Sequence, residues 1–195
     1  MIDPIELTAA AFGIAAVYLS ARQNVWNWPL GIINVALYIF VFYKAKLYAD
    51  MGLQGVYVVL AVYGWWHWLH GGANHGALRV SRVPTRDIVL LVIAFIAGTT
   101  TLTSFLSRAT DASLPFADSA LTAASLVAQY MMTRKYVESW LVWIVADIAY
   151  VAMFLYKSLW PTAGLYLVFT VLAVIGWQQW RASLREQSPT ETAFA

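Results

Sequence analysis

The chain of 195 residues has no cysteine and few charged residues. Without cysteine it can form neither a disulfide nor a thiolate metal site. Only 11% of its residues are charged, and the formal net charge at pH 7 is +2. The basic residues are scattered between apolar segments, so we expect no nucleic-acid partner. The first residues also lack the basic run of a cleavable signal peptide, and we expect the first apolar segment to be retained.

Apolar and aromatic residues dominate instead. Hydrophobic residues make up 61% of the chain, ten residues are tryptophan, and the mean hydropathy is +0.65. Such a composition is typical of a protein embedded in a lipid bilayer. Seven segments are long enough to cross about 30 Å of hydrocarbon. They lie at residues 5–21, 29–45, 49–70, 86–107, 115–133, 139–157 and 160–181. We therefore predict an all-α membrane protein with seven transmembrane helices.

The sequence contains an internal repeat. Residues 11–68, shifted by 112 positions without a gap, align with residues 123–180, and about a third of the aligned residues are identical. The repeat relates helix 1 to helix 5, helix 2 to helix 6 and helix 3 to helix 7. Helix 4 is left over as a connector, and the extra crossing gives both halves the same direction. The sequence thus predicts two parallel three-helix repeats, as in sugar transporters of the SWEET type.

This organisation divides the chain into four parts. They are a first bundle (1–70), a connector helix with flanking loops (71–114), a second bundle (115–182) and a tail (183–195). We expect residues 187–195 to be disordered. Eight lysine and arginine residues fall on the side of the carboxyl terminus and four on the other. The positive-inside rule then places the amino terminus outside and the tail in the cytoplasm.

One carboxylate lies well inside a predicted span. Asp147 would cost about 2.5 to 3.5 kcal/mol on insertion scales unless something offsets it. Trp140, Trp143 and Tyr150 share its helical face, at spacings i, i+3, i+7 and i+10. A tryptophan face can hold a cationic ring, worth about 0.5 to 2 kcal/mol. The carboxylate can accept hydrogen bonds from hydroxyls or balance the charge of the ring. The pattern suits an aromatic cation attached to a sugar.

Polar residues that differ between the repeats indicate where an asymmetric ligand binds. Gln54 and Tyr57 on helix 3 correspond to Tyr166 and Phe169. A polar line on helix 5, formed by Thr122, Ser125 and Gln129, corresponds to Ala10, Gly13 and Val17. Asp147 replaces Val35, and Asn34 is adjacent to that position. If the faces of helices 3, 5 and 6 line one cavity, these polar groups converge on the substrate.

Structural interpretations exist for the same residues. Tryptophan in membrane proteins usually lies in interfacial belts, and we expect this of Trp26, Trp28, Trp65, Trp66, Trp68, Trp177 and Trp180. Serine and threonine often bond their own helix, and Asp147 could pair with a tyrosine or glutamine. The three histidines lie at a helix end and in a loop without acidic neighbours, so we expect no metal site and no catalytic residue.

Three motifs resemble the PnuC family of vitamin transporters. They are Trp28-Pro29-Leu30-Gly31-Ile32-Ile33-Asn34, Gln54-x-x-Tyr57 followed by Tyr63-Gly64-Trp65-Trp66-x-Trp68, and Trp140-x-x-Trp143-x-x-x-Asp147. The similarity extends from about residue 11 to residue 181. It implies seven helices in two triple-helix bundles with a connector, and ligand contacts at Trp140, Trp143 and Asp147. A typical member carries nicotinamide riboside, a cationic ring on a ribose, whereas related members carry thiamine or riboflavin.

The resemblance implies a facilitator in the bacterial inner membrane that imports nicotinamide riboside by alternating access and needs no cofactor. Net uptake would follow from phosphorylation of the vitamin inside the cell. Thiamine and riboflavin remain alternative substrates, and the oligomeric state is open. A membrane-embedded enzyme that uses Asp147 is disfavoured because no catalytic motif lies near it. A non-transporting scaffold is disfavoured by the asymmetric polar residues.

Overall fold

The computed structural model describes residues 4–44, 46, 48–110 and 114–187, which form seven α-helices. The helices are α1 (Pro4–Ala21), α2 (Asn27–Lys44), α3 (Tyr48–His70), α4 (Thr85–Ala109), α5 (Pro115–Thr133), α6 (Ser139–Tyr156) and α7 (Trp160–Gln187). The predicted number and order of helices are confirmed. Helix α7 continues past residue 181, where the sequence pattern placed its end. Of the segment expected to be disordered, residues 188–195 lie outside the described part of the chain.

Prolines mark the starts of four helices. Pro4 and Pro115 are the first residues of α1 and α5, and Pro29 and Pro161 lie in the first turns of α2 and α7. A proline costs little in a first turn because its missing amide proton would have no partner there. These prolines therefore set the helix starts without interrupting any helix.

Four of the helices, α1, α4, α6 and α7, are long and apolar enough by length and composition to cross a membrane. The other three include polar residues such as Asn34, Gln54 and Gln129, which line a cavity between helices. The outer surface is apolar, as the exposed side chains of α4 show. They include Ile88, Val89, Val92, Ile93 and Ile96. Exposed apolar faces of this kind are what lipid tails contact.

The helices pack in two groups of three. Helix α2 packs against α1 and α3, and α6 packs against α5 and α7. The groups meet where α1 contacts α7 and where α3 contacts α5. These two contacts are equivalent under the sequence repeat, since each joins the first helix of one group to the third helix of the other. Helix α4 packs against α5, outside the junction.

Four tryptophans form the centre of the core, and we call them the tryptophan cluster: Trp28, Trp68, Trp140 and Trp180. The rings of Trp28 and Trp68 meet edge to face with centroids 5.3 Å apart and planes at 87°. Trp140 and Trp180 repeat this arrangement at 5.4 Å and 86°. Trp68 and Trp180 also contact each other, at 5.8 Å. Edge-to-face packing suits the quadrupoles of aromatic rings.

Two indole hydrogen bonds join the two helix groups at the tryptophan cluster. Trp68 Nε1 donates to the carbonyl of Met132 at 2.9 Å. Trp180 Nε1 donates to the carbonyl of Ser20 at 3.1 Å. Donors and acceptors are both related by the shift of 112 residues. The cluster therefore fastens α3 to the end of α5 and α7 to the end of α1.

Glycines make room for the cluster at two equivalent positions. A Cβ atom added to Gly64 would lie 2.3 Å from the ring of Trp28, and one added to Gly176 would lie 2.6 Å from the ring of Trp140. No carbon atom approaches a ring so closely, so any larger residue must displace a tryptophan. The repeated Gly-Trp-x-x-Trp pattern thus encodes a close approach between helices.

Candidate substrate site

A cavity of about 440 Å³ lies between the two helix groups. Its lining comes from α1, α2, α3, α5, α6 and α7, whereas α4 contributes none of the described lining residues. One end reaches the tryptophan cluster at Trp28 and Trp140. The other end reaches Phe42, Phe154 and Thr162, at the opposite ends of their helices. The cavity thus runs along the junction that the repeat creates.

Eight of the nine residues selected from the sequence line this cavity. They are Asn34, Gln54, Tyr57, Gln129, Trp140, Trp143, Asp147 and Tyr150. The ninth, Thr122, does not line it. Its side chain lies close to the hydroxyl of Tyr150, so it supports a lining residue from outside. The expectation that helices 3, 5 and 6 face one space is met, and helices 1, 2 and 7 face it as well.

Asp147 is the carboxylate of the site. Its side chain is only 3% exposed, and among the described residues it makes neither a hydrogen bond nor an ion pair. No lysine, arginine or histidine occurs among the described residues that line the cavity. The structural interpretation, in which Asp147 bonds a tyrosine or glutamine, is therefore not what the packing shows. The carboxylate is left to interact with something that enters.

Aromatic side chains line the end of the cavity opposite the tryptophan cluster. Tyr166 has its ring centroid 4.7 Å from Tyr150, 5.1 Å from Phe154 and 5.8 Å from Phe169. The sequence pattern alone does not select Tyr166, which enters it only as the repeat counterpart of Gln54. The repeat itself points to Tyr166, because this residue is the equivalent of Gln54 and both line the cavity.

A hydroxyl network holds two of these rings. Ser125 Oγ lies 3.4 Å from the Tyr150 hydroxyl and also lies near the side chain of Tyr57. Ser125 lines the cavity, so it can orient both tyrosines toward a ligand. The polar line on α5 thus acts partly through its neighbours, with Ser125 and Thr122 setting the position of Tyr150.

Asn34 has a structural bond of its own. Its Nδ2 donates to the carbonyl of Ala9 at 2.6 Å, which attaches α2 to α1. A Cβ atom at Gly13 would lie 3.1 Å from this same nitrogen. The glycine therefore lets the amide reach the helix backbone. The amide of Asn34 can still offer its oxygen to the cavity.

The structure corrects the interpretation of several tryptophans as belt residues. Trp28, Trp68 and Trp180 are 2%, 3% and 0% exposed, because they pack on each other and on helix glycines. Trp26 and Trp66, at 64% and 58%, are exposed as a belt requires. Tryptophans at the membrane interface and in the core look alike in the sequence, and only their packing distinguishes them.

Known proteins resemble this chain over nearly its whole length. A profile of the nicotinamide mononucleotide transporter family matches residues 3–182. The nicotinamide riboside transporter PnuC of Escherichia coli (strain K12) is 27% identical over 94% of this chain and 87% of its own length. The protein of the same name from Neisseria mucosa is 29% identical over 92% of this chain and 73% of its own length.

Two further matches are a relative named for a different vitamin and a solved structure. The riboflavin/roseoflavin transporter RibM of Streptomyces davaonensis is 23% identical over 94% of this chain and 87% of its own length. The crystal structure of the vitamin B3 transporter PnuC superposes with a TM-score of 0.75 at 26% identity, covering 94% of this chain and 83% of that one. With the helical fold and the buried cavity, these matches establish that the chain belongs to the nicotinamide mononucleotide transporter family.

Proposed function

We propose that this protein imports nicotinamide riboside across the bacterial inner membrane as a facilitator that works by alternating access. The observation that carries the proposal is the cavity between the helix groups, which brings Trp140, Trp143 and the unpaired Asp147 together. This chain covers 87% and 73% of the length of two relatives named nicotinamide riboside transporters. A riboside of nicotinamide supplies an aromatic cation for the tryptophans and hydroxyls for the polar side chains.

The charge of the lining favours the riboside over the mononucleotide in the name of the family. A phosphate group needs arginine, lysine or a helix amino terminus to bind it. The described residues that line the cavity include no basic side chain, whereas Asp147 would repel a phosphate. A nucleoside without phosphate fits these charges.

Riboflavin is the second candidate because RibM matches almost the whole chain. Its ring system is neutral, however, and gives the unpaired carboxylate no counter-charge. Thiamine is another vitamin with an aromatic cation and is a further alternative. The substrate site of this proposal comprises Trp140, Trp143, Asp147, Tyr150, Gln54, Tyr57, Asn34 and Gln129, with Thr122 supporting Tyr150.

We infer that the two helix groups are parallel repeats joined by α4, the arrangement of SWEET-type transporters. Matched contacts support this: the paired tryptophans, their two indole hydrogen bonds and the stacked pairs Tyr38–Phe42 and Tyr150–Phe154 are all related by the shift of 112 residues. The boundaries 1–70, 71–114, 115–182 and 183–195 follow from this shift. Seven membrane crossings then place the chain termini on opposite sides.

The closed end of the cavity faces the cytoplasm in this proposal. The tryptophan cluster lies at the helix ends that adjoin Arg22, Arg134, Lys135 and Arg181, the side richer in basic residues. The structure would then be a state closed toward the cytoplasm, and the substrate would enter from outside. Release would require the two groups to separate at the tryptophan cluster.

We also propose that the protein catalyses no reaction and needs no cofactor, in agreement with the name of the family as a transporter. We expect lipid around the apolar outer faces, and no nucleic-acid partner because the net charge is small. The oligomeric state is left to measurement.

Counterflow tests the function. Proteoliposomes loaded with unlabelled nicotinamide riboside should take up external labelled riboside faster than empty proteoliposomes. Thiamine and riboflavin should compete less well. Exchange that occurs with riboflavin and not with the riboside would assign the chain to the second candidate. No exchange with any of the three vitamins would contradict a transport function for them.

A further inference from the structure

The fold provides no partner for the buried carboxylate of the cavity. Asp147 is 3% exposed and makes no hydrogen bond or ion pair within the described ranges. Its counterpart in the first repeat, Val35, lines the same cavity. Since valine fills the equivalent position, packing does not require a carboxylate at residue 147. A reason for the charge has to come from what enters the cavity.

The groups around Asp147 are uncharged at neutral pH or acidic. The titratable side chains that share its cavity are Tyr38 of α2, Tyr57 of α3, Tyr150 of α6 and Tyr166 of α7. Helices α1 and α5 contribute Ser20, Ser125 and Gln129. Farther out, Glu6 lies in the electrostatic range of Tyr38, and Asp118 in that of Tyr150. Lys157, at the carboxyl end of α6, is paired with Asp118 at 3.2 Å.

A buried, ionised carboxylate is strongly disfavoured without a counter-charge. A cation or a proton can remove that cost. We propose that Asp147 holds a proton while the cavity is empty and releases it when a cationic ring ligand binds. The O–H bond of the carboxyl group breaks, its electron pair stays on the oxygen, and the proton leaves to the solvent through the open end of the cavity. The choice of ligand class rests on the proposed function.

This exchange keeps the site electrically neutral in both states. The empty site holds a carboxylic acid, and the loaded site holds a carboxylate with a cation. Neither form moves an uncompensated charge through the bilayer, where charges are costly. Uptake still needs no imposed gradient, because at equal pH on both sides the riboside gradient alone drives the exchange. Neutral ligands gain nothing from the carboxylate, so Asp147 selects for the cationic ring.

Calorimetry measures the proton directly. Nicotinamide riboside is titrated into the purified full-length protein at pH 7 in phosphate and in Tris, which differ in ionisation enthalpy. The wild-type protein should release a fraction of a proton, up to one, per ligand bound. Affinity should increase with pH across the acidic range, by at most about tenfold per unit. Asp147→Asn should release none and show a flat pH profile.

Two controls isolate the carboxylate. Asp87→Asn removes a carboxylate that accepts a hydrogen bond from Tyr136 at 2.7 Å outside the cavity, and it should keep the wild-type proton release. The reduced riboside, with a neutral dihydronicotinamide ring, should bind without releasing a proton and should lose little affinity in Asp147→Asn.

The outcomes separate this inference from the proposed function. Tight binding of the riboside to the wild-type protein without proton release would overturn the inference and leave the transporter intact. If the riboside does not bind, thiamine takes its place in the same titration. Thiamine binding with proton release would support the inference while contradicting the proposed substrate, and thiamine binding without it would overturn both.

Discussion

At the scale of single residues, Trp143 tests whether an aromatic face holds the ligand ring. Trp143→Ala should lose stacking area and cation attraction, on the order of 1 to 3 kcal/mol, or roughly five-fold to over a hundred-fold in affinity. Trp143→Phe should recover part of the loss. Val145→Ala is the control on the same helix, since Val145 is 70% exposed and outside the cavity. Calorimetry on folded variants decides, and wild-type affinity in Trp143→Ala would place the ring elsewhere.

A second residue-scale test concerns Gly176. A methyl group there would lie 2.6 Å from the ring of Trp140, which is 1% exposed and cannot move aside. We expect Gly176→Ala to destabilise the fold by about 1 to 3 kcal/mol. The control is Gly164→Ala on the same helix, where an added Cβ meets nothing within 4 Å and should be neutral or stabilising. Thermal unfolding in detergent gives the comparison, and equal midpoints would refute the close approach.

At the scale of helices, the aromatic pairs of the first half recur at equivalent positions of the second half. The turns between the helices recur as well. Gln23 and Lys135 both adopt a left-handed backbone, with φ of 55° and 57°, after α1 and α5. Lys46 and Ser158 do so after α2 and α6, at 59° each. These residues are not glycine, and their identities differ between halves. The backbone of the repeat is therefore retained even where side chains diverge.

The indole hydrogen bonds predict how firmly the tryptophan cluster closes the cavity. Trp180→Phe keeps an aromatic ring, smaller than indole, and removes the bond to Ser20. That bond alone is worth about 0.5 to 1.5 kcal/mol, so the closed end should open at least about two-fold more often. A thiol introduced as Ala16→Cys, which is unique because the chain has no cysteine, reports opening through its alkylation rate.

An impermeant maleimide applied to inside-out vesicles should label that thiol faster in Trp180→Phe than in the wild-type background. Trp26→Phe is the control at the same end, because Trp26 is 64% exposed. Equal rates in all three backgrounds would mean that the cluster is not the barrier.

At the scale of the whole molecule, topology follows from basic residues and the number of crossings. A fluorescent reporter that folds only in the cytoplasm should fluoresce when fused after Ala195 and stay dark when fused before Met1. This expectation rests on the eight basic residues assigned to the side of the carboxyl terminus and the four assigned to the other side. Fluorescence from both fusions would eliminate seven crossings.

Energetics of transport also belong to the whole molecule. Among the described residues that line the cavity, Asp147 carries the charged side chain, and in our proposal the substrate cation occupies it, so we expect no driving sodium ion. Uptake of labelled riboside into vesicles should proceed with equal pH and no sodium on either side, until inside and outside concentrations match. A strict requirement for an imposed ion gradient would contradict the facilitator.

The sequence by itself determined the helices, the repeat and eight of the residues that line the cavity. Helices in a bilayer satisfy their own backbone, so apolar length alone predicts them. A gapless shift of 112 residues relates each contact of the tryptophan cluster to an equivalent contact in the other half. Equal spacing along equivalent helices places equivalent side chains in the same geometry. Polar residues at unequal positions, Asp147 opposite Val35, marked the site, since an asymmetric ligand needs asymmetric contacts.

Only the tertiary structure decided which aromatic residues are core and which are surface. Trp28 and Trp26 are two residues apart, yet one is 2% exposed and the other 64%. Their difference depends on Gly64, 36 positions after Trp28, which leaves space for one ring. The tertiary structure also places Thr122 behind Tyr150 and Tyr166 at the cavity. Such facts depend on distances between side chains far apart in the chain, which local patterns do not contain.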